Sequence, residues 1–383
     1  MSGGRCGAAT VASPKSAPAI WRSTEPAAPA AVAPSLSGVH ELSLTFTAVD
    51  EPRPGARWQA RFWATWHAYR RWFLRDGDAA RPSYALARRM LVTHMPELAP
   101  TWERMVDLAG GGDLAARMLS LFDPPPLVSG CSQAVLAGDE PVLIRNYDFH
   151  PRLLDGVIQA SAPIGRRVIG MTDCLWGLLD GMNEAGLAVS LAFGGRRVVR
   201  PGFAAPLVVR YLLEVCETTE EAMDVLARIP VQASYNLTVL DSRGAAVTAC
   251  IAPDRAPRRR AAAVATNHPD VVEWPEHARL TRSVEREERI LDLLADPAMA
   301  EPDVVAAFLE PPLYSRAYAA GFGTLYTAVY RPATGTIEYH WPGAHWRQSF
   351  DAFEEGRRVI AIGQKLEPSS VAACSAPSAA SAM

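Results

Sequence analysis

The sequence has no CxxC pair, no HExxH or other paired-histidine spacing, no GxGxxG turn and no P-loop lysine. These absences remove the usual pointers to a zinc or dithiol site, a metalloprotease centre and a nucleotide cradle, so neither a metal nor a cofactor is expected. The six cysteines, at positions 6, 131, 174, 216, 250 and 374, follow no regular spacing, and a reduced, cytoplasmic location is the simplest inference. An excess of charge of one sign is lacking too. With 38 Lys+Arg against 41 Asp+Glu the net charge is −3, which excludes nucleic-acid character; no membrane partner is expected either. Large apolar residues are few in residues 1–38, which are rich in Ala, Pro and Ser and lack the continuous apolar core of a signal peptide. Disorder is expected there and in residues 367–383, which have the same character.

What is present suffices for a large core: 49% of 383 residues are hydrophobic, and length alone suggests two or three domains. Residues 39–130 read as a helical leader. Trp58, Phe62, Trp66, Tyr69 and Phe73 recur at spacings of three and four, an aromatic stripe that serves packing more readily than the lining of an acyl pocket. Two further helices are expected in residues 84–120, broken near Pro96, Pro100 and Gly110-Gly111-Gly112. Pro124-Pro125-Pro126 closes the leader with a stiff extended segment. Beyond residue 131 strand and helix patterns alternate. They include a capping box at Thr218 and Glu221, a hairpin turning at 241–244, a helix over 276–295 and a closing hairpin of 324–330 with 336–341. The four arginines within 255–260 could suggest a polyanion site, but a solvated loop is the simpler reading.

The dipeptide Gly130-Cys131 follows the proline run. A free thiol, with a pKa of about 8.5, needs a base or a positive neighbour to become a nucleophile. An N-terminal cysteine carries its own base, because an α-amino group titrates near about 7.7–8.0. Cys131 is internal, so that activation requires cleavage of the Gly130–Cys131 bond, and a glycine before it leaves the carbonyl open to attack. The plain alternative is a turn glycine followed by a small buried hydrophobe. Residues 131–136 and 142–144 read as a hairpin around Ala137-Gly138-Asp139, which returns Arg145 and Asp148 beside Cys131. A guanidinium favours thiolate, and a carboxylate can orient the α-amino group. Three apart, the two fall on opposite faces of a regular strand, so both reach Cys131 only if the strand bends or ends.

In order along the chain, Gly130-Cys131, Arg145-Asn146-Tyr147-Asp148, the run from Asp180 to Leu187, Ser234-Tyr235-Asn236, Thr266-Asn267-His268 and Thr281-Arg282-Ser283 resemble the choloylglycine hydrolase and penicillin acyltransferase branch of the N-terminal-nucleophile hydrolases. The resemblance spans about residues 95–350 and implies an α+β fold, a four-layer αββα sandwich, with residues 131–366 forming one catalytic domain. It implies Cys131 as nucleophile, Arg145 and Asp148 holding it, Asn236 as side-chain donor of the oxyanion hole, Arg282 as a second arginine near the thiol and the backbone amide of Ala192 as a further donor. Bile-salt hydrolases carry asparagine at the position of Ala192. The long leader is similar to the acyltransferase branch, in which precursor cleavage gives two chains that stay together.

The expected activity is that of a self-processing cysteine amidohydrolase or acyltransferase acting on a small N-acyl amide or acyl thioester, in a protein that can also form a homo-oligomer. Two rivals remain: a Cys131–His268 hydrolase needing no chain cleavage, and a non-catalytic relative that binds an acylated small molecule.

Overall fold

The computed structural model describes residues 42–362; the tails expected to be disordered lie outside them. The leader opens with strand β1 (Leu42–Asp50), followed by helices α1 (Ala56–Phe73), α2 (Tyr84–His94), α3 (Ala99–Leu108) and α4 (Asp113–Leu119). The long first helix agrees with the sequence reading. Residues 84–120 form three helices where two were expected, because the breaks at Pro96 and at Gly110-Gly111-Gly112 both separate helices, and β1 adds a strand to a leader read as helical. Its signal is the alternation of Leu42, Leu44, Phe46 and Ala48, a period of two that buries Phe46 and Ala48. On α1 the aromatic stripe packs as expected: Trp58, Phe62 and Phe73 are buried, and the Phe62 ring stacks on Trp58 and Trp66.

The chain then runs through β2 (Gly130–Leu136), β3 (Val142–Phe149), β4 (Val157–Ser161), β5 (Val168–Asp173), β6 (Gly177–Asn183) and β7 (Ala188–Phe193). Helices α5 (Ala205–Val215) and α6 (Thr219–Arg228) follow, the latter started by the expected Thr218–Glu221 capping box. Next come β8 (Tyr235–Leu240), β9 (Ala246–Ala252), β10 (Arg255–Arg259), β11 (Val264–Ala265), α7 (Pro275–Leu280), α8 (Ser283–Ala295) and α9 (Glu301–Phe308). The last elements are β12 (Arg316–Ala317), β13 (Phe322–Arg331), β14 (Thr336–Trp341), β15 (Ala344–Ser349) and β16 (Gly356–Ile362).

These strands form two sheets. One has nine strands in the order β10-β9-β8-β7-β6-β5-β4-β1-β16; the other has seven, in the order β11-β2-β3-β13-β14-β15 with β12 paired to β13. All pairings are antiparallel except that of β1 with β4. Between the sheets lies a core that draws Tyr147, Tyr326 and Tyr339 from the smaller sheet and Ile169, Met171 and Met182 from the larger. Helix α5 packs on β6 and β7. On the outer face of the smaller sheet, Ala134, Val142, Ile144 and Val329 meet Ile290 and Leu293 of α8 and Val304 and Phe308 of α9. Helix, sheet, sheet and helix stack as the expected αββα sandwich.

Two local readings are corrected. Residues 276–295 form two helices, split where Arg282 adopts a left-handed backbone (φ 50°). The arginine run is largely an edge strand, β10, whose charges are met by acidic neighbours: Arg255 by Glu273, Arg258 by Asp270, and Arg259 by Glu220; Arg260, just beyond it, pairs with Glu287. With carboxylates already on each guanidinium, a polyanion has no cluster of unpaired charge to bind.

Candidate active site

Cys131 is the second residue of β2 and is fully buried. Its hairpin partner β3 is in the expected register, with Cys131 opposite Tyr147, Gln133 opposite Arg145, and Gly130 opposite Asp148. Side chains alternate across the pair, so Cys131 and Arg145 face the inter-sheet core while Asp148 faces the helical layer. The strand does not bend to unite them.

On the core face, Arg145 Nη2 lies 3.5 Å from the Cys131 sulfur. Its Nη1 donates to Asp180 and, at 2.9 Å, to the hydroxyl of Tyr326, which donates to Asp180 at 2.7 Å. Tyr330 donates to the same carboxylate. This is a buried charge pair with its remaining acceptor sites filled, the arrangement that lets a guanidinium persist without water. Burial pushes the Cys131 thiol up, outweighing the opposing pull of Arg145. The sulfur is therefore held neutral, and the pull of Arg145 is only part of the balance.

On the helical face, Arg286 of α8 is fully buried and gathers the backbone of Cys131. Its Nη1 donates to the Cys131 carbonyl at 2.8 Å, to Ser132 Oγ at 2.8 Å and to Asp148 Oδ2 at 2.9 Å; its Nη2 donates to Asn267 Oδ1 at 2.6 Å. Thr324 donates to the other Asp148 oxygen at 2.6 Å. Burial nevertheless raises the Asp148 carboxyl above its ordinary range, against the pull of Arg286. Gly130 leaves room here: a Cβ on it would stand 3.0 Å from the Asp148 Cβ, so Asp148 would have to shift.

Asn267 completes the enclosure. Its Oδ1 accepts the Cys131 amide at 2.9 Å, and its Nδ2 donates to the carbonyls of Ser129 at 3.3 Å and Phe193 at 3.1 Å. Donors on one side and carbonyls on the other fix the orientation of the amide. The segment carrying Asn267 presses against Gly195 (φ 64°), where a Cβ would come within 2.2 Å of the Asn267 carbonyl oxygen.

The other expected site residues are Asn236, Ala192 and Arg282. Asn236 of β8, opposite Ala192 of β7, donates its Nδ2 to the carbonyls of Thr266 and His268 at 3.0 and 2.9 Å. Both of its donors are thus occupied in bracing Asn267 from either side. Ala192 is buried in the same inter-sheet core as Cys131. Arg282 is corrected: its side chain is exposed and bonds Glu285, with Nε at 2.6 Å, because the left-handed turn at the start of α8 points it outward. Arg286, one turn later, occupies the place expected for it. The signal was present in the sequence, since Arg286 falls on the same helical face as Ile290 and Leu293.

The rival base His268 does not contact Cys131. Its Nδ1 meets Ser283 Oγ at 2.6 Å and Thr266 Oγ1 at 3.2 Å, and its Nε2 lies 3.7 Å from Glu287. Burial lowers its pKa. Asp180, Asn267 and Arg286 were given no role by sequence reasoning.

A cavity lies beside Cys131, bordered by Ser129, whose Oγ is 3.8 Å from the Cys131 sulfur, and by Tyr147, opposite Cys131. Trp72, Pro124, Pro125 and Leu127 of the leader cover it. No group of three or more His, Cys, Asp or Glu side chains able to hold a metal occurs among the described residues, and no helix among them is long and apolar enough to cross a membrane.

The family model described as acyl-coenzyme A:6-aminopenicillanic acid acyl-transferase matches residues 135–346, more than half of the chain. The chain belongs to this family. It is an acyl-transferase family protein in which every residue of the cluster from Arg145 to Tyr330 lies inside the matched region. Solved structures similar to the chain include penicillin V acylase from Agrobacterium tumefaciens, at 16% identity and TM-score 0.42, covering 61% of this chain and 92% of that one. A Caenorhabditis elegans N-acylethanolamine-hydrolyzing acid amidase ortholog matches at 18% and 0.43, covering 60% and 100%. A mutant of conjugated bile acid hydrolase from Clostridium perfringens matches at 13% and 0.39, covering 63% and 99%. A search of curated proteins finds no match.

Proposed function

We propose that this acyl-transferase family protein is a self-processing cysteine amidohydrolase or acyltransferase whose nucleophile is Cys131. The observation that carries the reading is the enclosure of one residue from both faces of its strand: sulfur beside Arg145, amide on Asn267, carbonyl on Arg286.

In self-processing, the Cys131 sulfur adds to the Gly130 carbonyl carbon, the carbon–nitrogen bond breaks, and the Cys131 nitrogen takes the thiol proton. Water then cleaves the Gly130 thioester, leaving a carboxyl on Gly130 and a free α-amino group on Cys131. That amine is the missing base. It takes the thiol proton as the sulfur attacks the carbonyl of a small N-acyl amide or acyl thioester, and returns it to the leaving group. Water or a second amine resolves the acyl-enzyme.

Asp148 and Asn267 receive and orient the new ammonium group. Asn267 Nδ2, now on the Ser129 and Phe193 carbonyls, loses the Ser129 acceptor once residues 124–130 are released and becomes a side-chain donor for an oxyanion, while Asn236 acts through the segment it braces. Strand β1 supports continued association of the cut leader, since it pairs with β4 on one side and β16 on the other. N-terminal sequencing of the heavy fragment tests the reading: a start at Cys131, together with turnover of N-acyl amides, is expected, and an uncut active chain overturns it.

A further inference from the structure

The cavity beside Ser129 is walled largely by apolar and aromatic side chains, including Trp72, Leu127, Tyr147, Phe149 and Tyr235. Among them stands one carboxyl, Asp173, only 6% exposed. Its Oδ1 accepts the Cys174 amide at 2.8 Å, and among the described residues no ion pair reaches it. The backbone holding it is strained: Cys174 and Leu175 both take left-handed conformations (φ 53° and 73°), uncommon for such residues and worse when consecutive. The strained turn is held from several sides. Leu175 donates to Asp155 at 3.0 Å, Trp176 Nε1 to the Leu119 carbonyl at 2.9 Å, and Arg210 Nε to the Trp176 carbonyl at 2.8 Å. A fold that stores strain to hold a carboxyl without an ion-pair partner in an aromatic pocket is giving that carboxyl a ligand to meet.

We propose that Asp173 is a specificity residue: it binds a primary ammonium group on the part of the substrate that enters this pocket, with the aromatic walls facing the remainder of the cation. The inference rests on the reading of Cys131 as nucleophile and names the substrate class of that site. An ammonium supplies the opposite charge that lets the carboxylate form persist in this pocket, which a neutral acyl chain does not.

The titration of Asp173 agrees with this. Burial raises its carboxyl to about 8, with Asp155 adding to the effect and the Cys174 contacts and Arg145 opposing it. Tyr69 of α1, Tyr147 of β3 and Tyr235 of β8 also face it, each with its hydroxyl pushed upward. Below about pH 8 the carboxyl is largely protonated, so capture of a cation releases a proton and tightens as pH rises toward the carboxylate form.

The test uses the purified, processed protein and the rate at which iodoacetamide alkylates Cys131. Hexylammonium chloride and hexan-1-ol, matched in chain length, serve as protecting probes. Hexylammonium should protect at a concentration at least tenfold below that of the alcohol. Asp173→Asn should erase the ratio, and Asp173→Glu should keep part of it. Should Asp173→Asn fail to fold, the unsubstituted protein decides: half-protection by hexylammonium should need at least fivefold less probe at pH 8.5 than at pH 6, with no such trend for the alcohol. Equal protection by both probes, an unchanged ratio in Asp173→Asn, or a flat pH series overturns the proposal. N-terminal sequencing and turnover of an uncharged N-acyl amide report separately on Cys131, so failure here is distinguishable from failure of the functional reading.

Discussion

One face of the β2–β3 pair carries the Cys131 sulfur with Arg145; the other carries Ser132 and Asp148 and meets Arg286. Both faces use a buried arginine paired to a buried carboxylate, yet they act on different parts of the same residue. Arg145 has its charge balanced by Asp180 and offers one nitrogen to the sulfur. Arg286 leaves the sulfur alone and holds the Cys131 carbonyl together with the Asn267 oxygen that receives the Cys131 amide. On the proposed function, the core face sets the reactivity of the sulfur, and the helical face sets where the Gly130–Cys131 bond lies. A single strand residue can serve both purposes because its side chain and its backbone point in different directions.

Removing the element that both faces share should have the largest effect. Cys131→Ala is expected to abolish chain cleavage and turnover together, measured by gel and by amide hydrolysis; residual turnover would detach both faces from catalysis.

The helical face can be broken alone. Arg286→Met leaves Asp148 buried without its partner and should cost about 3–5 kcal/mol of stability in urea unfolding, whereas Arg282→Ala, at the surface, should stay within about 0.5 kcal/mol. Equal losses would erase the distinction drawn between the two arginines.

Asn267→Ala should slow turnover by about 10²–10³, the usual loss for an oxyanion donor. Asn236→Ala should cost less, about tenfold, if it acts by bracing the neighbouring segment. Steady-state rates of the two variants beside their iodoacetamide alkylation sharpen the assignment, and the reverse order returns the donor role to Asn236.

The effect furthest from Cys131 is a pH dependence. His277 of α7 packs on Phe193, whose carbonyl receives Asn267, and burial, with Arg286 adding, lowers its pKa to about 4. Unfolded, it titrates near about 6.5 and binds its proton first as pH falls. Stability should therefore drop by about 3 kcal/mol between pH 6.5 and 4 on this account, and His277→Gln should flatten that slope in urea melts.

Much of this arrangement was legible in the sequence, and the exceptions are instructive. Period-two alternation correctly separated Arg145 from Asp148, and the turn at 137–139 fixed the register that sets Gly130 against Asp148. Arg286 was hidden because a charged residue on a helix reads as solvated until a buried partner is known; only its alignment with Ile290 and Leu293 marked it. Asn236 and Asn267 are both asparagines beside strands, and nothing local distinguishes the one that touches Cys131 from the one that braces it. That difference comes from β8 and the 266–268 segment meeting across long sequence separation. Strand β1 escaped because its partners, β4 and β16, lie far along the chain.

The most direct test of the central claim is the denaturing intact mass of the purified protein beside its Cys131→Ala variant. The account predicts two fragments of about 14 and 27 kDa for the unsubstituted protein, residues 1–130 and 131–383, and a single uncut chain for the variant. Full-length chain alone in an active preparation would contradict it.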